Sequence, residues 1–155
     1  RQIGLIIGPE ANSECQLRLS ACREWFTEQG LPEPLVMVGD FSAESGRQAA
    51  SQLLSQHSEI SALFCFNDHM AIGALHHAKQ VGKRVPEQLS IVGFDDNELA
   101  AYAEPGLTTV AQPLEQLRER ALQLAQALIA GEAHEPQALL LPELVVRQST
   151  AAPAI

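Results

Sequence analysis

Short apolar runs alternate with segments of helical period along the whole chain. The runs with strand character occupy residues 3–7, 35–38, 60–66, 89–93, 107–111 and 139–146. Between them, apolar residues recur every three or four positions over residues 14–29, 43–54, 69–81 and 114–128. Short continuous apolar runs are typical of strands that are buried on both faces of a parallel sheet. The pattern therefore predicts an α/β fold, a three-layer α-β-α sandwich around a parallel sheet. For the first four strands we expect the flavodoxin-like order.

Capping residues indicate where the helices begin. Ser13 stands three residues before Gln16, the capping-box spacing, so we expect the first helix to begin at residue 14. Ser42 is a plausible N-cap of the second helix, and Asn67 or Asp68 caps the third.

The last third of the chain has a less regular pattern. Residues 98–104 are predicted to be irregular, and 131–137 to form a polar loop. Pro142 interrupts the last apolar run, which argues for an edge strand or a bend there. Residues 149–155 are predicted to be a frayed tail.

Polar side chains follow two of the predicted strands at the point where each strand ends. Asn67 and Asp68 come directly after the third strand, and Asp95 and Asp96 end the fourth. In open parallel sheets, ligands bind at the carboxyl ends of the strands. We therefore expect these four residues to share one edge of the sheet and to form a ligand site.

Two further residues stand out at the same edge, each with two possible roles. Arg18 falls on the apolar side of the first helix, where it is either a snorkelling or salt-bridged side chain or a donor directed at the pocket. Phe41, between the second strand and the next helix, is either a core plug or a platform for a ligand. Periodicity alone does not decide between these alternatives.

Composition and charge narrow the class of protein. The 155 residues fit one ordinary domain, and the net charge of −9 argues against nucleic-acid binding by this chain alone. There is no run of 18 apolar residues and no leader, so we expect no membrane span and no signal peptide. Three cysteines cannot all pair internally, which favours free thiols in a reducing cytoplasm. The chain begins with Arg1 rather than methionine, so we expect a fragment of a longer protein.

Motifs for catalysis and cofactor binding are absent from the sequence. There is no GxGxxG after the first strand, no P-loop lysine and no GxSxG elbow. The histidines at 69, 76 and 77 lack the i, i+4 spacing of a metal pair, and no acidic pair follows the first strand as a phospho-acceptor site requires. We therefore expect no enzyme, no cofactor and no metal.

Carboxylates with an amide and an arginine suit the neighbouring hydroxyls of a sugar.

Taken together, the motifs resemble those of the LacI/GalR family of bacterial repressors, whose ligand cores are similar to periplasmic sugar-binding proteins. The segments are IGLIIGP at 3–9, RL at 18–19, GDFSAESG at 39–46, FNDHMAIGA at 66–74, VPEQLSIVGFDD at 85–96, LTTV at 107–110 followed by QP at 112–113, and ELVVR at 143–147.

The resemblance implies an effector-binding core of two lobes with a small molecule held between them. Arg18, Phe41, Asn67 and Asp95 match positions that commonly contact the effector in this family, and Gln112 matches a crossover position near the cleft. It further implies a homodimer, and operator DNA bound only through a headpiece that this chain lacks. A sugar is the expected effector, and a purine stacked on Phe41 is the main alternative.

The resemblance also implies a division of the chain. Residues 1–107 would form the C-terminal lobe, 108–135 a crossover strand and helix that belong to the other lobe in relatives, 136–148 a returning strand, and 149–155 the tail. Without the other lobe, the leucine stripe at 114–128 should be exposed. Two other classes remain open: a transport-type periplasmic sugar-binding protein, which the missing leader disfavours, and an α/β enzyme, which the missing nucleophile and base disfavour.

Overall fold

The computed structural model describes residues 2–132 and 139–152, in which strands and helices alternate. The strands are β1 (Gln2–Ile7), β2 (Leu35–Val38), β3 (Ile60–Cys65), β4 (Ser90–Asp95), β5 (Thr108–Ala111) and β6 (Glu143–Val145). The helices are α1 (Ser13–Glu28), α2 (Ala43–Gln56), α3 (Asp68–Gln80), α4 (Glu98–Tyr102) and α5 (Leu114–Ala130). Part of the predicted polar loop at 131–137 lies outside the described residues.

The described strands form one sheet in the order β2-β1-β3-β4-β5-β6, in which the first five run parallel. The flavodoxin-like order predicted from the sequence is confirmed. Right-handed crossovers, the rule for such connections, put α1 on one face of the sheet and α2 and α3 on the other. The buried core lies between these layers and includes Leu5, Ile6, Leu63 and Ile91. The arrangement is the predicted three-layer sandwich.

The sixth strand departs from the prediction of a parallel sheet. β6 pairs antiparallel with β5, and its Val145 lies opposite Thr109. The reason is the path of α5, which leaves the carboxyl edge of the sheet and buries no residue against it. The chain therefore returns from the edge at which it left, and a strand that returns in this way runs antiparallel. Because Pro142 has no N–H to donate, the strand begins at Glu143 rather than at residue 139.

Two helices begin at asparagine caps that were not predicted from the sequence. The cap of α1 is Asn12 instead of Ser13, because its Oδ1 accepts a hydrogen bond from the N–H of Cys15 at 2.9 Å. Residues 98–102, predicted to be irregular, form α4, whose cap Asn97 accepts from the N–H of Ala100. The N-cap predicted at Ser42 is confirmed by a 3.1 Å bond from the N–H of Ser45.

Helices α2 and α3 approach each other at two glycines. A Cβ at Gly46 would lie 2.2 Å from the carbonyl oxygen of Met70, and a Cβ at Gly73 would lie 1.9 Å from that of Ala43. Either distance is far inside van der Waals contact, so only glycine allows the two backbones to lie this close. The pair of helices covers one face of the sheet as a closely packed layer.

In the C-terminal part of the described chain, helix α5 is exposed whereas Ser149 is buried. α5 contains no buried residue, and its Leu114, Leu117 and Leu128 are all exposed, so the predicted exposure of the leucine stripe is confirmed. Ser149, in contrast, is fully buried, and its hydroxyl donates to the carbonyl oxygen of Ile91 at 2.6 Å. The predicted frayed tail is therefore wrong at its start, because this bond holds residue 149 against β4. Residues 153–155 lie outside the described part of the chain.

The resemblance places strand β5 and helix α5 in the other lobe of relatives. In this chain the four residues of β5 pair with β4 in the same sheet. The division of the chain at 107, 135 and 148 otherwise stays a prediction.

We predict that Gly73→Ala lowers the free energy of unfolding by about 3 kcal/mol, because the added methyl group would overpack a backbone contact. In an open helix the same replacement stabilises by about 1 kcal/mol, so the sign of the change separates the two situations. Urea-induced unfolding followed by circular dichroism measures it. The control Ala21→Gly, at an exposed position of α1, should cost about 1 kcal/mol. Unchanged or increased stability of Gly73→Ala would contradict the contact.

Candidate functional site

The five candidate residues lie at or beyond the carboxyl ends of five different parallel strands. Arg18 lies in α1 after β1, Phe41 in the loop after β2, and Asn67 two residues beyond the end of β3. Asp95 is the last residue of β4, and Gln112 comes directly after β5. Because these strands run parallel, all five residues lie at the carboxyl edge of the sheet, where ligands bind in open α/β folds.

Arg18 lies against two aromatic rings, Phe94 in β4 and Phe66 directly after β3. Its Cζ is 3.6 Å from the centroid of the Phe94 ring and 5.2 Å from that of Phe66. Its Nη1 donates a hydrogen bond to the carbonyl oxygen of Phe66 at 2.8 Å. Burial lowers the pKa of the guanidinium, while nearby acidic groups that include Asp95 oppose this shift. The apolar position of Arg18 in the sequence is thus explained by a cation–π partner and a backbone acceptor.

Asn67 connects the loop after β2 to the start of α3. Its Nδ2 donates to the carbonyl oxygen of Phe41 at 2.9 Å, and its Oδ1 accepts from the N–H of Met70, also at 2.9 Å. The side chain is therefore both the helix cap and the residue that holds the Phe41 loop. With 8% of its surface exposed, it is buried at the base of the site.

Phe41 adopts the left-handed backbone region, with φ of 71°. Its ring is half-buried and packs against Gly8 at the end of β1, where a Cβ would lie 2.2 Å from Cζ of the ring. Such a conformation is costly for an aromatic residue and persists only where surrounding contacts impose it. Here those contacts include the bond from Asn67 and the turn at Asp40, whose carboxylate accepts from the N–H of Ser42 at 2.9 Å.

Asp95 and Gln112 form a direct pair across neighbouring strands. Nε2 of Gln112 donates to Oδ1 of Asp95 at 2.7 Å. Gln112 is exposed and Asp95 is half-buried, so both keep polar atoms at the surface of the edge. Asp95 and the following Asp96 have φ of 112° and 54°. Two successive non-glycine residues therefore hold unfavourable backbone conformations at this turn.

Asp96 has a different role from Asp95. Its Oδ1 lies 2.7 Å from Nη2 of Arg147, and Nη1 of the same arginine donates to the carbonyl oxygen of Leu107. The ion pair is mostly buried, with 20% and 27% of the two side chains exposed. The second aspartate is thus used within the protein, and of the adjacent carboxylates Asp95 is the one with an exposed amide partner.

Asp68 lies beneath the turn and is fully buried. Its Oδ1 accepts from the hydroxyl of Thr109 at 2.5 Å, and its Oδ2 accepts from the N–H of Asn97 at 2.8 Å. Burial raises the pKa of this carboxyl, and the charges of Asp95 and Asp96 act in the same direction. Asn67, Asp68, Asp95 and Asp96 share one edge as expected. The sequence did not single out Thr109, and its only signal was a polar residue in a β-branched strand.

The described residues hold neither a metal cluster nor a spanning helix. In residues 2–132 and 139–152 no three histidine, cysteine or acidic side chains are placed to hold one metal ion. Over the same ranges, every helix is too short or too polar to cross a bilayer. Cys15, Cys22 and Cys65 are free thiols.

A known protein family and several known proteins match this chain over nearly its full length. Residues 1–150 match the family described as periplasmic binding protein-like domain. The HTH-type transcriptional repressor PurR of Escherichia coli O1:K1 / APEC is 38% identical over 154 residues, which cover 97% of this chain and 45% of the repressor. The chain thus spans about half the length of the curated relatives it matches.

Solved structures of transcriptional regulators also align with nearly the whole of this chain. The transcriptional regulator CelR in complex with cellobiose aligns with a TM-score of 0.88 at 37% identity, over 96% of this chain and 46% of that one. A dimeric Lac repressor with an 11-residue C-terminal deletion aligns with a TM-score of 0.94 at 33% identity, over 99% of this chain and 57% of that one.

We predict that Arg18→Met lowers the free energy of unfolding by about 2 kcal/mol, because it removes a cation–π contact and leaves a carbonyl oxygen without its donor. Arg23→Met is the matched control, since Arg23 is in the same helix and makes an exposed 3.1 Å ion pair with Glu33. Its loss should cost less than about 1 kcal/mol. Chemical denaturation of both variants measures the difference, and equal effects would contradict the role assigned to Arg18.

Proposed function

The chain belongs to the family of periplasmic binding protein-like domains, as an effector-binding region of the LacI/GalR type, and from that premise we propose that it binds a sugar at the carboxyl edge of its sheet. Sugar binding would favour one arrangement of the longer protein over another and so change its affinity for operator DNA. A ligand shifts such an equilibrium only through its different affinities for the two states.

The observation that carries the proposal is the pairing of Asp95 with Gln112 beside the guanidinium of Arg18. A carboxylate accepts hydrogen bonds, an amide both donates and accepts, and a guanidinium donates. Vicinal hydroxyls need both kinds of partner at short spacing, which these three side chains supply from neighbouring elements. The relative CelR, whose structure is described as a cellobiose complex, supports the same class of ligand.

A purine is the second candidate effector. The half-buried ring of Phe41 lies at the same edge, and aromatic rings stack on planar bases. The similarity to the repressor PurR supports this alternative. The two candidates use different side chains, because a sugar depends chiefly on the Asp95 carboxylate whereas a purine also needs the face of Phe41.

The longer protein would act as a homodimeric repressor in the cytoplasm, without enzymatic activity. The similarity to transcriptional repressors and to a dimeric Lac repressor supports this part of the proposal. Operator DNA would be bound by a headpiece outside this chain, which is consistent with the net charge of −9. The exposed leucines of α5 support the proposal that this helix packs against another lobe of the longer protein.

We predict that cellobiose or a related sugar binds this chain with a dissociation constant of about 1 mM or lower, and that Asp95→Asn weakens binding at least about tenfold. Amide NMR titrations with a panel of sugars and purine bases measure both. Glu98→Gln, which removes an exposed carboxylate three residues away, is the control and should leave the affinity unchanged.

The outcomes separate the candidates. Shifts centred on Phe41 with a purine base, lost in Phe41→Ala, would support the second candidate. An Asp95→Asn variant that binds sugar as well as the original chain, or turnover of a ligand, would count against the proposed function.

A further inference from the structure

We propose that Asp68 is a positioning residue for the effector site: its buried carboxylate holds the turn of residues 95–97 in the shape that presents Asp95 to the ligand. This inference rests on the proposed function, because it assumes that Asp95 contacts the effector. Asp68 itself is fully buried beneath the turn and does not reach the surface.

The hydrogen bonds of Asp68 reach the turn by two routes. Oδ2 accepts directly from the N–H of Asn97 at 2.8 Å. Oδ1 accepts from the hydroxyl of Thr109, and the same hydroxyl oxygen accepts from the N–H of Asp96 at 3.4 Å. Two successive backbone N–H groups of the turn are therefore held by one carboxylate, directly or through Thr109.

The turn needs such support because of its backbone conformation. Asp95 and Asp96 have φ of 112° and 54°, values that side-chain-bearing residues adopt only under constraint. The space for the constraint is provided by Gly93, where a Cβ would lie 2.2 Å from Oδ1 of Asp68. Gly93 also lies directly opposite Thr109 in the sheet, so the register of β4 and β5 sets the position of the hydroxyl.

Stability alone does not explain a carboxylate at this position. Burial raises the pKa of Asp68, and the negative groups that face it are Cys65 if ionised, Asp95 and Asp96. An acid with a raised pKa binds its proton more tightly in the folded state, so it reduces stability as the pH rises above its ordinary value. Hydrogen bonds from Thr109 and from the N–H of Asn97 lower this pKa and only partly offset the effect of burial. The carboxylate is thus retained among groups that disfavour its charge.

The test compares Thr109→Val with Thr109→Ser in this chain. Valine removes the hydroxyl with little change of shape, whereas serine keeps it. We expect Thr109→Val to change the amide and Cβ chemical shifts of residues 95–97 and to weaken binding of cellobiose, or of whichever panel sugar binds, about tenfold. In Thr109→Ser, the chemical shifts of residues 95–97 and the affinity for the sugar should stay close to those of the original chain. Ser149→Ala, which removes another buried hydroxyl bonded to β4, should lower stability but leave these shifts and the affinity unchanged.

A second measurement tests Asp68 without any ligand. In the original chain the amide shift of Asn97 should titrate with Asp68, at a pH above the ordinary 3.8 of an aspartate, and Asp68→Asn should abolish that step. Unchanged shifts at residues 95–97 in Thr109→Val, or changed shifts with unchanged affinity, would overturn the proposal. If no probe binds the original chain, the proposed function fails, and the shift comparison alone decides whether Asp68 holds the turn.

Discussion

Hydrogen bonds from two adjacent side chains at the start of α3 hold the loops of the candidate site. Asn67 donates to the backbone of Phe41, after β2. Asp68 accepts from Asn97, after β4, and from Thr109 in β5. β3 lies in the middle of the sheet, between β1 and β4, so residues at its end are within reach of loops on both sides. The conformations of Phe41 and of the turn after β4 depend on this central position.

The apolar pattern predicted the strands and four of the helices, because strands buried between two helical layers are continuous apolar runs. The flavodoxin-like order was an expectation for the first four strands, and the sheet has it. It did not predict the direction of β6, which depends on α5 leaving the sheet instead of packing across it. It also missed α4, a helix of five residues that is too short to have a detectable period and depends on the cap at Asn97. Ser149 was missed because its partner, Ile91, is distant in the sequence.

The candidate site was predictable where a residue broke a local pattern. Arg18 stood out because it interrupts an apolar face, although its partner Phe94 could be identified only in three dimensions. Thr109 and Arg147 break no pattern. Their importance comes from the register of β4 against β5 and from the return of the chain after α5, and neither property is encoded in a short window of sequence.

The contact between α2 and α3 also bears on how the loop of Phe41 is anchored. Gly46 and Gly73 bring the two backbones together so closely that a side chain at either position would collide with the facing helix. α2 begins two residues after Phe41, and α3 begins directly after Asn67, which is bonded to that loop. The Phe41 loop is therefore joined to α2 by the chain itself and to the start of α3 by the Asn67 hydrogen bond, so it is anchored on a pair of helices in backbone contact.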